Sequence, residues 1–293
     1  MSFTVRGQNV TVVGAARSGV AAALLLAERG ARVTLSDLRP ELEREAERQL
    51  RESGVGIELG AHRPDTFTSA DLMVLSPGVP LDQPSIAQAR RAGVRIIGEI
   101  ELASRWLSGR IVAITGTKGK STTTTLTGRM FDAGGLRALV GGNIGTPLSS
   151  QVAMSTPDTF HIVEVSSFQL ETTETFHPWV AVLLNLSSDH LDRHGSMEAY
   201  GSAKAKIFVN QTADDWAVIN ADDPQTLALA RAGRAKKVLF SAGTPLVPLS
   251  SIRLIGKHLV SDVMAAAAVA RIAGVPDDAM VRAVEAFTGL EHA

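Results

Sequence analysis

The stretch Gly116-Thr117-Lys118-Gly119-Lys120-Ser121-Thr122 constrains the fold more tightly than any other part of this chain. It follows an apolar run, Ile111-Val112-Ala113-Ile114, that reads as a buried strand. It opens a Thr-rich segment, Thr122 to Met130, that reads as a helix and stops at Gly134-Gly135. Strand, glycine loop, Lys-Ser and helix together predict a phosphate cradle. Glycines let backbone N–H groups converge on the phosphates, and the helix N-terminus adds positive potential. Lys120 can then reach the β and γ oxygens of a triphosphate, and the Ser121 hydroxyl can hold Mg²⁺. The usual spacing is G-x-x-x-x-G-K-[ST], but the count back from Gly119 lands on Ile114. Gly116 gives a shorter form, T-G-T-x-G-K-S-T.

At 293 residues, with 45% hydrophobic and 20% charged residues, the chain has room for two domains with substantial cores, and wholesale disorder is excluded. A net charge of −1 argues against a general nucleic-acid binder. The chain has no cysteine, which removes disulfides, thiolate metal sites and cysteine nucleophiles from consideration. No apolar run reaches membrane-spanning length and the N-terminus carries no long apolar segment, so a cytoplasmic protein is expected.

Ahead of the loop, Asn9 to Val13 reads as a strand ending at Gly14-Ala15-Ala16-Arg17-Ser18-Gly19. Val20 to Ala27 reads as a helix closed by Gly30, and Arg32 to Leu35 as a second strand ending at Ser36-Asp37. This unit, with an acid after its second strand, looks like half of a dinucleotide-binding fold. Ala16 replaces the glycine that normally admits the pyrophosphate most closely, so a nucleotide other than a nicotinamide cofactor is favoured. Glu41 to Glu52 reads as a charged helix. Asp71 to Leu75 reads as a strand running into Ser76-Pro77-Gly78, a turn on the same rim as Gly14 and Asp37 or simply a rigid connection. Ser85 to Gly93 reads as a helix, Arg95 to Ile97 as a strand and Glu99 to Leu107 as a helix, with Ser108-Gly109 separating the two halves.

Beyond the loop, Gly141-Gly142-Asn143-Ile144-Gly145 is either an ordinary loop or a backbone shaped to present Asn143 to a ligand. His161 to Val165 reads as a strand with Glu164 near its carboxyl end. An acid there, in an otherwise apolar strand, is placed to ligate Mg²⁺ directly or through water. Val180 to Leu186 reads as a strand entering Ser188-Asp189-His190-Leu191-Asp192-Arg193-His194, a solvated turn or a metal and phosphate site. Ser196 to Val209 reads as a helix on which Tyr200 and Lys204 share a face while Lys206 points elsewhere. Trp216 to Asn220 and Lys237 to Phe240 read as strands, and Leu259 to Ala273 and Asp277 to Phe287 as helices.

The ordered set T-G-T-K-G-K-S-T, G-G-N-I-G-T-P, V-E-V-S-S-F-Q-L-E, N-L-S-S-D-H-L-D-R-H and A-K-A-K-I-F resembles the Mur ligase family. The resemblance runs from about Asn9 to His292. It implies an α/β chain with an N-terminal Rossmann-like domain over residues 1–107, which holds a UDP-linked substrate. A central phosphate-loop ATPase domain then spans residues 108–293. The S-S-F-Q-L-E run and the Ser76-Pro77-Gly78 turn favour the branch that joins D-glutamate to UDP-N-acetylmuramoyl-L-alanine in peptidoglycan synthesis. That branch is preferred over its siblings and over folylpolyglutamate synthases.

By position, the resemblance implies that Ser18, Asp37, Ser76, Pro77 and Gly78 contact the uridine diphosphate. Gly116, Thr117, Lys118, Gly119, Lys120, Ser121 and Thr122 would bind ATP. Asn143 would meet the substrate and the γ-phosphate. Ser121 and Glu164 would share one Mg²⁺, and His190 and Lys204 a second. Lys204 would be carbamylated, because a bare ammonium cannot ligate a cation. Lys120, His190 and Lys204 would be catalytic. A monomer without nucleic-acid or membrane partners is expected. Three departures stand beside this. The run Gly289-Leu290-Glu291-His292-Ala293 is expected to continue into a third domain that is not in the sequence. His258-Leu259-Val260-Ser261-Asp262 stands where the family has His-Asn-x-x-Asn. Ser241 to Ile252 is short for the strands expected there. A two-domain fragment that binds UDP-sugar and ATP without ligase activity is the alternative.

Overall fold

The computed structural model describes residues 3–252 and 257–289. The chain forms two compact units. The first holds residues up to Trp106 together with Pro147–Met154 and Thr172–Thr175. The second holds Leu107–Thr146, Ser155–Glu171 and the described chain from Phe176 onward.

In the first unit the order is β1 (Asn9–Val13), α1 (Arg17–Glu28), β2 (Arg32–Asp37), α2 (Arg44–Glu52) and β3 (Gly56–Leu59). It continues through α3 (Pro64–Thr68), β4 (Leu72–Leu75), α4 (Pro84–Arg91), β5 (Arg95–Gly98) and α5 (Glu99–Ser104). The strands form a parallel sheet in the order β3-β2-β1-β4-β5, with Val12 of β1 opposite Leu35 on one side and Val74 on the other. These side chains are fully buried, as expected for a sheet covered on both faces. The order reverses beside β1, and the crevice at such a switch point opens at the carboxyl ends of β1 and β4. Gly14 and Ser76 are found there.

The second unit is built from β6 (Arg110–Thr115), α6 (Lys120–Ala133), β7 (Ala138–Gly142), β8 (Phe160–Glu164), α7 (Ser167–Glu171) and β9 (Val180–Leu183). It continues with α8 (Leu191–His194), α9 (Met197–Ala205), β10 (Trp216–Asn220), α10 (Pro224–Leu229), β11 (Lys236–Phe240), α11 (Lys257–Ile272) and α12 (Asp277–Glu285). Its parallel sheet runs β11-β10-β9-β6-β8-β7. β6 therefore lies between β8 and β9, and the loop that follows it opens at the middle of the sheet. Ile114 pairs with Glu164, which brings that carboxylate level with the start of the loop. Leu126, Met130 and Phe131 of α6 share a buried core with Ala265–Ala268 of α11, whose small side chains let the two helices pack closely.

Several expected bounds shift. The helix expected from Glu41 starts at Arg44, because Glu43 before it is extended. The strand expected to Leu186 ends at Leu183. Its ladder partner turns away at Thr115, leaving a last bond from Leu184 N–H to Thr115 O of 3.0 Å. The helix expected over Ser196 to Val209 is α9 followed by a 3₁₀ turn over Lys206–Phe208, with the Ser196 hydroxyl accepting Ala199 N–H at 3.1 Å as its cap. β3, β7 and the 3₁₀ helix Leu148–Met154 have no counterpart in the expected elements. Residues 290–293 and the side chain of His258 lie outside the described residues.

Candidate functional site

The loop after β6 has the backbone of an anion site. Gly119 takes φ of +82°, a left-handed conformation that favours glycine, and α6 begins at Lys120 with no side chain capping its first turn. The loop is braced by Asn185, two residues past the end of β9. Its Oδ1 accepts Thr117 N–H at 3.1 Å and Lys118 N–H at 2.9 Å, while its Nδ2 donates to Lys118 O at 3.0 Å. Thr117 Oγ1 accepts Ser187 N–H at 3.0 Å and lies 3.3 Å from the Tyr200 hydroxyl. Asn185 stands within the N-L-S-S-D-H-L-D-R-H run and Tyr200 on a helix face, and no local pattern marks either as a brace for the loop.

Two lysines converge on this loop. Lys120 Nζ donates to Gly116 O at 3.1 Å and to Thr117 O at 3.0 Å. Lys204, only 1% exposed, folds back from α9 and donates to the same Gly116 O at 2.8 Å. Burial, and then the nearby Lys120 charge, push the Lys204 ammonium down to about 7. At neutral pH a large share of it is therefore a free amine. Its Nζ also lies 4.6 Å from the Tyr200 ring centre, the neighbour that helical spacing predicts. Lys206 points away, to Glu171 O.

Glu164 ties three expected site residues together. It is 2% exposed. Its Oε2 accepts from Ser121 Oγ at 2.7 Å and its Oε1 from Asn143 Nδ2 at 2.9 Å. Asn143 is held in turn by its own N–H to Glu164 O at 2.9 Å. Hydroxyl and carboxylate oxygens side by side are the hard donors that Mg²⁺ takes, with phosphates and water completing its shell.

The two histidines of the 188–194 run separate. His190 is the one non-glycine residue with positive φ, 52°, among the described residues. Its half-exposed ring lies 5.0 Å from Phe168, and its Nε2 is 3.5 Å from Asp189. His190 and Lys204 flank Tyr200, its ring centre lying 6.4 Å from the imidazole and 4.6 Å from the Lys204 Nζ. The His194 side chain is 1% exposed, with Nδ1 at 3.1 Å from Glu171 and Nε2 at 2.9 Å from Ser167 Oγ. Among the described residues no three His, Cys, Asp or Glu side chains converge on one point.

Asp262 of α11 is 6% exposed and lies against Gly119, and burial pushes its carboxyl up to about 7 from an ordinary 3.8. The folded chain thus binds more protons than the unfolded one between those values, so stability falls as pH rises from about 4 to about 7 and stays lost above. Asp262→Asn is expected to be more stable than the parent at pH 8 by roughly 2–4 kcal/mol and nearly equal to it at pH 4. Urea denaturation at the two pH values reads the difference; an equal gain at both would exclude titration as its source.

In the first unit, Ser18, Asp37 and the Ser76-Pro77-Gly78 turn stand around the end of β1. Gly19 is required for the approach of α1, since a Cβ there would meet Gly14 O at 1.8 Å and Ser76 Oγ at 2.6 Å. Ser76 Oγ donates to Gly14 O at 2.8 Å, and Val79 N–H closes the turn on Ser76 O at 3.0 Å. Asp37 accepts from Ala15 N–H at 2.5 Å, from Arg39 N–H at 2.8 Å and from the Arg39 guanidinium at 2.9 Å. Burial opposes its charge, yet the Arg39 and Ala15 hydrogen bonds outweigh it and bring the carboxyl down to about 2. Asp37 therefore shapes the rim and orients Arg39, a residue the sequence reading did not single out. A cavity of about 550 Å³ opens beside Ala15, Arg17 and Arg39.

Fold and loop together define a phosphate-loop α/β protein with a Rossmann-like first unit. The chain belongs to the Mur ligase family: residues 8–98 match the Mur ligase MurD-like N-terminal domain and residues 114–246 the Mur ligase middle domain. It is 46% identical to the UDP-N-acetylmuramoylalanine--D-glutamate ligase of Acidobacterium capsulatum, across 98% of this chain and 68% of that one. It is 42% identical to the enzyme of that name from Koribacter versatilis, across 98% and 69%. Among solved structures, the UDP-N-acetylmuramate:L-alanyl-gamma-D-glutamyl-meso-diaminopimelate ligase from Neisseria meningitides shares the fold at a TM-score of 0.68 and 18% identity, covering 98% of this chain and all of that one. UDP-N-acetylmuramate-alanine ligase from Thermotoga maritima does so at 0.58 and 23%, covering 97% and 69%.

Proposed function

We propose that this chain is an ATP-dependent ligase that joins the amine of D-glutamate to the carboxylate of UDP-N-acetylmuramoyl-L-alanine in peptidoglycan synthesis. The observation that carries the reading is the meeting of Lys120 and Lys204 on Gly116 O, beside the Ser121–Glu164–Asn143 constellation. The Lys120 ammonium and an uncapped helix N-terminus answer the charge of a triphosphate, and one buried carboxylate answers that of a divalent cation.

Residues 1–107 form the domain for the UDP-linked substrate, with Ser18, Asp37 and Ser76-Pro77-Gly78 on its rim and Arg39 aimed by Asp37. Residues 108–293 form the ATPase domain. Backbone N–H groups from Gly116 to Thr122 cradle the phosphates, and Lys120 swings from its two carbonyls onto the transferring phosphoryl group. Ser121 and Glu164 would hold one Mg²⁺, and His190 with the carbamate of Lys204 a second, which would supply positive charge where phosphate and substrate carboxylate meet. Asn143 fixes the Glu164 carboxylate and faces the substrate. Lys204, as its free amine, adds to carbon dioxide: an N–C bond forms, a proton leaves to solvent and an anionic oxygen ligand results. The substrate carboxylate takes the γ-phosphoryl group, and the D-glutamate amine then displaces phosphate to close the amide. No described helix is long and apolar enough to cross a membrane; we assign a monomer working in the cytoplasm, where its substrates are made.

The test is incubation of the purified chain with UDP-N-acetylmuramoyl-L-alanine, ATP and radiolabelled D-glutamate. Labelled amide product is expected, whereas nucleotide binding without it leaves only a binding module. Lys120→Ala is expected to slow ATP turnover by about 10²–10³-fold. Turnover at the parent rate would remove the assignment of the loop.

A further inference from the structure

Beside the phosphate loop lies a cavity of about 360 Å³ whose lining includes Lys118, Gly119, Asn185, Asn220, Asp223 and Asp262. Its polar side chains are mostly committed. Asn185 braces the loop, Asn220 Nδ2 donates to Leu184 O at 2.8 Å, and Asp223 accepts Leu186 N–H at 2.8 Å and Gln225 N–H at 2.9 Å. Asp262 differs. It is 6% exposed, and burial is the one influence that shifts its carboxyl, with no hydrogen bond acting on it. Its carboxyl lies so close to the Cα of Gly119 that a Cβ there would stand 2.0 Å from Oδ1 and 2.7 Å from Oδ2. A buried carboxylate is ordinarily paired, because leaving water without a partner is costly. One pressed unpaired against an anion-binding loop also opposes the anion that loop is shaped to hold.

We propose that Asp262 couples nucleotide binding to the uptake of one proton, and so sets the pH range in which this loop holds a polyphosphate. The inference rests on the reading of Gly116–Thr122 as a triphosphate site. The proton comes from solvent and ends on a carboxyl oxygen, and no bond of the nucleotide changes. Lys118 and Asp223 are the other titratable groups in the described lining. Lys118 sits at the exposed lip, and Asp223 is spent on the backbone N–H groups of Leu186, Gln225 and Thr226. From α6, Lys120 is turned to Gly116 O and Thr117 O. β10, β11 and α12, which also pack against α11, place no charged side chain in the described lining. His258, one turn earlier on α11, is outside the described side chains. Burial alone already pushes the Asp262 carboxyl up to about 7, so at neutral pH the proton is partly in place and a polyanion on the other face of Gly119 draws in the remainder.

Titration calorimetry of the full chain with Mg·ADP tests this, at pH 7.5 and 8.5 in HEPES and in Tris, whose different ionisation heats count the protons exchanged. The parent is expected to take up close to one more proton than Asp262→Asn, whose amide is nearly the same shape and does not titrate. Parent affinity is expected to fall roughly tenfold more than that of the variant between the two pH values. Equal proton counts, or equal pH dependence, overturn the proposal while leaving the loop assignment standing. If the variant does not fold, the parent alone decides, and binding without net uptake overturns the coupling. Absence of Mg·ADP binding by the folded parent overturns the loop assignment itself and the coupling with it.

Discussion

Lys204→Ala is expected to cut amide formation by about 10³-fold, the scale seen when one preorganised charge is removed from a reacting centre. The side chain is long, charged in water and 1% exposed, and its Nζ ends on Gly116 O at 2.8 Å. Burial and Lys120 bring its ammonium down to about 7, against an ordinary 10.5. Between those values the unfolded chain binds more protons than the folded one, so stability gained as pH rises from about 7 to 10.5 is the signature of this residue. A lysine that costs stability at neutral pH is a poor structural choice and a good nucleophile for carbon dioxide. The variant should therefore stay folded, and its lost gain of stability above pH 7 checks the titration separately from activity. Added short-chain carboxylic acid is expected to restore part of the rate by returning an anionic oxygen to the vacated space. Full activity of Lys204→Ala, read as labelled amide product, would exclude the carbamate.

Glu101→Ala carries the largest expected effect on stability. Glu101 of α5 is fully buried. It accepts from Arg105 Nε at 2.8 Å, from the backbone N–H groups of Glu174 at 2.9 Å and Thr175 at 3.0 Å, and from Thr175 Oγ1 at 2.7 Å. Truncation leaves the Arg105 side chain, 10% exposed, with Glu174 as its remaining carboxylate at 2.9 Å and the Phe3 ring at 4.5 Å, and strips two backbone donors of their acceptor. Breaking one side of such a buried pair costs about 3–5 kcal/mol, a fall in Tm on the order of 10 °C for a unit of this size. Glu101→Gln, which keeps one acceptor, should lose about half as much. A Tm within a degree or two of the parent for Glu101→Ala would show that Thr172–Thr175 is held by other contacts.

Much of the architecture was legible because its signals are local. Apolar runs bounded by Gly, Ser-Asp and Ser-Pro mark the strands, and the loop declares its own backbone through Gly116 and Gly119. Glu164 announced itself as an acid at the end of an apolar strand, and the i,i+4 spacing of Tyr200 and Lys204 predicted their contact. β7 escaped because Ala138-Leu139-Val140 leads into two glycines, which read as loop; pairing with β8 makes it a strand. The return of Pro147–Met154 and Thr172–Thr175 to the first unit escaped for another reason. Ser149 N–H is taken by Glu99 at 2.6 Å and Thr175 N–H by Glu101, carboxylates some fifty and seventy positions away.

The sequence by itself determined the strand-loop-helix unit at Gly116–Thr122, the parallel α/β class and the family, since each rests on residues within a few positions of one another or on the order of whole motifs. Only the tertiary structure decided what those residues touch. The 188–194 run left a solvated turn and a metal site open, and folding sent His194 inward to Ser167 and Glu171 while His190 stayed half-exposed beside Phe168. It also occupied Asp37 with Arg39, turned Lys204 onto Gly116 and pressed Asp262 against Gly119. Burial and charge proximity are properties of chain segments far apart in sequence. They alone bring Lys204 and Asp262, a base and an acid of opposite ordinary charge, both to about 7 beside the same loop.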